Sequence, residues 1–185
     1  MKKSILKKSL ITICCAACAI ASAAKLEIVS ATYGAGDVQI DVKKKIIDSC
    51  VIGDIIAIDV SNAMVPKDPA HGKAKFLTLK YKVDGKEKSG VYREKTQVLI
   101  APGIKPTKEF TMQKAVYGAK DKWIDVSKQI EAAIKDKKTI EVSNSTFKKD
   151  PIRGLGKYLV ILYSKNNKLH LKKVPERGKF AGASM

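Results

Sequence analysis

From Leu26 onward the chain alternates apolar and polar residues in short runs broken by turn formers. Leu26–Thr32 alternates with period two and predicts a strand. Tyr33–Asp37 carries Gly34 and Gly36 and predicts a turn, because glycine accepts the positive φ that other residues resist. Val38–Val42 predicts a second strand with Val38, Ile40 and Val42 on one face. Lys43–Cys50 predicts a short helix, and Asp54–Val60 a strand. Ser61–Lys73 is polar and holds Pro69, which lacks the N–H of a central strand, so it predicts a connection. The clearest strand is Lys75–Val83: Leu77, Leu79, Tyr81 and Val83 share one face, with Lys80 and Lys82 on the other. Asp84-Gly85 is a two-residue hairpin signal leading into Glu87–Arg93, and Thr96–Ala101 closes the set.

The same order then recurs. Ala31–Val42 reads ATYGAGDVQIDV and Ala115–Val126 reads AVYGAKDKWIDV, an offset of 84 from Tyr33 to Tyr117. Downstream the offset becomes 82: Val60-Ser61-Asn62 matches Val142-Ser143-Asn144, Lys67-Asp68-Pro69 matches Lys149-Asp150-Pro151, and Glu94 falls on Glu176. The second copy predicts a helix over Lys128–Lys135 capped by Ser127, with Ile130 and Ile134 on one face. It further predicts a strand at Lys138–Val142, a polar loop at Ser143–Gly156, an Asn166-Asn167 turn and a return strand at Lys168–Val174. Short strands, hairpin turns and one short helix per copy predict a mainly β protein of two tandem, small β-sandwich or barrel-like units. The expected boundaries are 25–101 for the first unit, 102–107 for a linker, 108–180 for the second unit and 181–185 for a frayed tail.

Residues 1–24 predict a signal peptide: four lysines, an apolar run over Leu10–Ala21 too short for a membrane span, then small residues. The expected location is therefore exported, periplasmic or secreted, and not integral to a membrane after cleavage. Lipidation at Cys18 is the less favoured route, because Cys15 stands where that signal prefers Leu. Three of the four cysteines lie in this segment. The mature chain then keeps Cys50 alone, among Ile46, Ile47, Val51 and Ile52; it predicts a small buried hydrophobe rather than a reactive thiol.

Losing the four leader lysines lowers the formal charge from +18 to +14. Such a chain suits anionic partners, although a Lys-rich solubilising surface explains the charge as well. Arg93, Arg153 and Arg177 are its only arginines, which argues against specific nucleic-acid readout.

The residues that carry chemistry predict no catalytic, cofactor or metal site. His71 and His170 align with Arg153 and Lys88, so neither recurs, and no nucleophile motif accompanies them. The recurring acids are Asp37/Asp121, Asp41/Asp125 and Asp68/Asp150. They are expected to make turns, cap helices and shape the loop before proline, respectively; acid–base chemistry or Ca²⁺ binding is the alternative. Tyr33 and Tyr117 are expected to be hydrogen-bonded core tyrosines, with Trp123 and Tyr92 as possible aromatic platforms for sugars.

Ala-x-Tyr-Gly, Ile-Asp-Val, Val-Ser-Asn and Asp-Pro before a Leu/Ile/Tyr strand together resemble a domain of unknown function. It is the C-terminal domain of J-proteins of the DnaJ homologue subfamily C member eleven type; similar units occur in exported bacterial proteins. The resemblance covers residues 25–180 as two copies, without a J-domain, since no His-Pro-Asp triplet occurs. It implies a β-rich module of envelope or membrane-associated assemblies and no known enzymatic role. The expected function is that of an exported, non-enzymatic two-module protein. Its partner would be an envelope protein or, alternatively, an anionic glycan or other polyanion held on lysine-rich faces.

Overall fold

The structure is a computed structural model that describes residues 25–185; the signal peptide read at 1–24, with Cys14, Cys15 and Cys18, lies outside the described residues. The first unit runs β1 (Leu26–Ala35), β2 (Val38–Asp41), α1 (Lys43–Cys50), β3 (Val51–Ile52), β4 (Ile55–Asp59), β5 (Phe76–Val83), β6 (Lys86–Arg93) and β7 (Gln97–Ile100). The second runs β8 (Thr111–Ala119), β9 (Lys122–Asp125), α2 (Ser127–Lys135), β10 (Thr139–Glu141), α3 (Asn144–Phe147), β11 (Tyr158–Lys165), β12 (Lys168–Pro175) and β13 (Lys179–Ala181). Each unit folds a four-stranded antiparallel sheet, ordered β2-β1-β5-β6 and β9-β8-β11-β12. A smaller sheet accompanies each one, β3-β4-β7 in the first unit and β10-β13 in the second. The fold is mainly β and duplicated.

Both hairpin signals form. Asp84 and Gly85 take φ of 51° and 78°, and Asn166 and Asn167 take 53° and 59°, the left-handed pair a tight two-residue turn requires. The turn after β1 differs from expectation. Tyr33 and Gly34 belong to the strand, and the chain reverses at Gly36. Gly34 is needed for closeness rather than for positive φ: a Cβ there would meet the Val38 carbonyl oxygen at 1.9 Å, and at Gly118 the Lys122 oxygen at 2.0 Å. Val38 is 52% exposed, so only Ile40 and Val42 of its strand face the core. The two polar loops are also more ordered than expected, with a 3₁₀ turn at Asn62–Met64 and the one-turn helix α3, whose Ser143 hydroxyl accepts from the Thr146 N–H.

The tail is not frayed. Phe180 and Val98 keep the offset of 82, and β13 is the counterpart of β7. Phe180 is fully buried opposite Ile140, and Gly182 packs so closely on α2 that a Cβ would meet the Ala133 oxygen at 2.1 Å.

Each unit has its own core. Tyr33, Ile46, Ile56, Ile58, Leu77 and Leu79 build the first, and Tyr117, Ile130, Phe147, Leu159, Ile161 and Phe180 the second. A third apolar cluster joins them: Ile52 and Ala57 of the first unit meet Val116, Val160, Trp123 and Leu171 of the second. The Lys114 amine binds the Asp54 carboxylate across this junction at 2.6 Å. The β3–β4 side of the first unit thus covers the outer face of the second unit's large sheet, and the units stack head to tail.

The two copies differ where this stacking requires it. Val116, Trp123, Val160, Leu162 and Leu171 occupy the positions of Thr32, Gln39, Thr78, Lys80 and Ser89. At the far end, Lys137 and Thr139 replace Ile55 and Ala57. The junction is apolar, whereas the open face of the first sheet carries Thr32, Gln39, Thr78, Lys80 and Ser89 beside the exposed Phe76 and Val91. Val160→Thr places a hydroxyl in the junction and is expected to cost about 1–2 kcal/mol. The reciprocal Thr78→Val, on the open face, should stay within about 0.5 kcal/mol. Urea melts of the two variants check the pair; equal effects would refute the asymmetry.

Among the described residues no helix is long and apolar enough to cross a membrane.

Candidate functional site

One arrangement of polar side chains recurs in both units, and a second, at the unit junction, does not. In the first unit Lys75, almost fully buried, places its amine 3.3 Å from Asp68 and 3.4 Å from Glu94. The Tyr33 hydroxyl donates to Asn62 Oδ1 at 3.0 Å, and Asn62 Nδ2 donates to Asp68 at 3.0 Å. In the second unit the Lys157 amine lies 3.3 Å from Asp150 and 3.4 Å from Glu176. The Tyr117 hydroxyl is 2.9 Å from both Asn144 Oδ1 and Glu176 Oε1. Each network ties the loop after the small sheet to the large sheet, and among the described residues no buried side-chain polar atom is left without a partner.

The electrostatics follow from these contacts. The Ala70 N–H, with Lys75 and Asn62, holds the Asp68 carboxyl below its usual range. Burial pushes Glu176 upward, but hydrogen bonds from Tyr117 and Lys157 outweigh it and its pKa lies below the usual value. Burial, reinforced by the negative charge of Glu94, pushes Tyr33 up to about 12. Burial and Glu176 raise Tyr117 as well. The folded chain therefore keeps both phenolic protons beyond the usual value near 10, where the unfolded chain releases them. Stability contributed by the two tyrosines is complete below pH 10 and falls as pH rises above it, through about 12 for Tyr33 and higher still for Tyr117. Tyr33→Phe should flatten that alkaline decline; thermal melts between pH 9 and 12 measure it.

The other recurring acids shape backbone. Asp41 and Asp125 each accept at 2.8 Å from the first N–H of the following helix, at Lys43 and Ser127. Ser127 is not the cap expected of it: its hydroxyl turns back to accept from the Ala115 N–H at 2.9 Å. Asp37 and Asp121 sit in exposed turns. Asp68 and Asp150 also accept from the backbone two residues on, at Ala70 and Ile152. The histidines lie in separate units, His71 exposed in a loop and His170 stacked on Tyr163 at 5.1 Å. Among the described residues no three His, Cys, Asp or Glu side chains converge as a metal site. Tyr92 packs half-buried against the first core.

Lys75 and Lys157 escaped the sequence reading, although both keep the offset of 82. In a lysine-rich chain a recurring lysine carries little signal; its burial is what marks it.

The second arrangement lies at the unit junction and does not recur. A groove of about 290 Å³ is lined by Trp123, Tyr158, Lys120, Lys173, Asp48 and Ser49. A wider hollow of about 570 Å³ adjoins it at Asp48 and Lys120 and reaches Lys44 and Ile47 on α1. The Trp123 indole N–H donates to the Lys120 carbonyl at 2.6 Å, which orients the ring. The Lys173 amine stands 5.5 Å from the Tyr158 ring centroid, a cation–π arrangement. Cys50 sits half-buried against the first core; burial pushes its thiol upward against the opposing charges of Lys173 and Lys45, which disfavours the thiolate.

Comparisons with family models, curated proteins and solved structures give no match.

Proposed function

We propose that this chain is an exported, non-catalytic two-module protein of the cell envelope, and that its partner there is an anionic polymer. The observation that carries the reading is the fate of the acids. Asp41 and Asp125 are bound to helix N-termini, and Asp68, Glu94, Asp150 and Glu176 are bound into the two internal networks. Among the described residues Lys45 on α1, Lys80 and Lys86 on the first large sheet, and Lys120 and Lys173 at the junction are exposed and have no carboxylate within 4.0 Å. A field of one sign concentrates polyanions at a surface without fixed hydrogen-bond geometry, which suits lysine better than arginine. The resemblance to the J-protein C-terminal domain, drawn from the sequence motifs, supports an envelope assembly role.

Retention of the mature protein on immobilised acidic polysaccharide is the test. Binding is expected at low salt, with affinity falling steeply and log-linearly as salt rises, because each neutralised charge releases a counterion. No binding at low salt would reduce the lysines to a solubilising surface and move the search to protein partners of the envelope.

A further inference from the structure

We propose, building on the anionic-polymer reading, that the junction groove holds one acidic saccharide ring, seated against Trp123 and Tyr158 with its acid group on Lys120 and Lys173. The stacking of the units accounts for the body of Trp123, and an aromatic recurs at Tyr158 as Phe76, but neither lysine is called for by the scaffold. The counterparts of Trp123, Tyr158, Lys120 and Lys173 in the first unit are Gln39, Phe76, Gly36 and Val91, so the first copy folds with neither the indole nor either lysine. The duplicated fold therefore imposes neither Lys120 nor Lys173, yet both line one groove with the two aromatic rings.

The groove has the chemistry of a ring site. Trp123 packs on the junction core, and its N–H is consumed by the Lys120 carbonyl, so the rest of the indole offers apolar surface in a fixed orientation. Tyr158 remains 43% exposed beside it. Among the described residues neither Lys120 nor Lys173 has a carboxylate within 4.0 Å, whereas the neighbouring Lys44 and Lys122 are paired with Asp48 and Asp121. Two unneutralised ammonium groups beside an aromatic pair suit a carboxylate- or phosphate-bearing ring, and Asp48 and Ser49 supply partners for its hydroxyls. A volume of about 290 Å³ lies at the small end for ligand pockets and fits a single ring, with the adjoining hollow open to the rest of a chain.

Trp123 is the only tryptophan, so its emission reports on the groove directly. Glucuronic acid, glucose 6-phosphate and glucose are titrated into the mature protein and into a Lys120→Gln/Lys173→Gln variant whose melting temperature is checked against wild type. The expected result is a saturable change in emission with the acidic sugars and none with glucose, weakened about tenfold or more in the variant, as losing charge-assisted hydrogen bonds implies. A response to only one acid identifies the acid group as carboxylate or phosphate. No response to either acid, an equal response to glucose, or a variant that responds like wild type overturns the proposal. Polysaccharide retention measured on the same samples keeps the two readings apart. Retention without an emission response refutes the groove and leaves the polymer reading. A response without retention refutes the polymer reading and leaves the groove.

Discussion

Phe180→Ala lowers stability by about 4 kcal/mol, within the range for emptying a fully buried aromatic site. The ring is completely enclosed in the second core, with the Lys172 amine 5.5 Å from its centroid. It also anchors β13, the strand that pairs β10, so the cavity opens beside a sheet that has no other strand to hold it. Ending the chain at Gly178 removes the same ring together with the Gly182–α2 contact and is expected to cost more. Urea unfolding measures both. A loss below about 1 kcal/mol for Phe180→Ala would place the C-terminal residues outside the core.

Lys157→Met costs about 3 kcal/mol at neutral pH. Removing one member of a buried ion pair leaves its partners charged and uncompensated, typically at about 3–5 kcal/mol, and the low end applies because Asp150 and Glu176 keep 31% and 22% of their side-chain surface in water. The amine also satisfies the Leu155 carbonyl at 3.0 Å, which methionine cannot. The pH dependence carries a definite sign. Glu176 has its pKa below the usual value of 4.5 in the folded chain, so its contribution is present above pH 4.5 and is lost as pH falls through the folded value. The gap between wild type and Lys157→Met therefore narrows on acidification below pH 4.5. Adding Glu176→Gln to Lys157→Met should recover part of the loss, since it removes one orphaned charge. Equal stability of wild type and Lys157→Met across pH would mean that the network contributes nothing to the fold.

Both results concern residues that the pattern of apolar positions did not single out. Lys157 reads as surface because lysine is almost never buried without partners, and those partners are seven and nineteen positions away, at Asp150 and Glu176. Phe180 falls at the last position of the expected second unit and reads as no strand, because the three residues of β13 are too few to show a period. In each case the signal was the offset of 82 to Lys75 and to Val98, and not the local sequence. Gly34 was legible as a special position but for another reason: its conformation is ordinary, and the approach of β2 is what excludes a side chain.

The sequence alone determined the duplication, the mainly β class, the position of both hairpins and the placing of Asp41 and Asp125 just ahead of the helices whose first N–H they bind. Such features depend on neighbours within a few positions, where period-two alternation, turn residues and short-range hydrogen bonds act directly on the backbone. The tertiary structure decided what depends on distant partners. It closed Lys75 and Lys157 into networks with acids from two elements each, completed the second core with Phe180, and stacked one unit on the other. The stacking left a trace in the chain: Val160 and Leu162 stand where the first copy has Thr78 and Lys80. That trace says that the second sheet has a covered face, but the cover itself, Ile52 and Ala57 of the first unit, becomes visible only when both cores are formed. The groove beside Trp123 exists for the same reason, as a space between two surfaces that no single stretch of sequence contains.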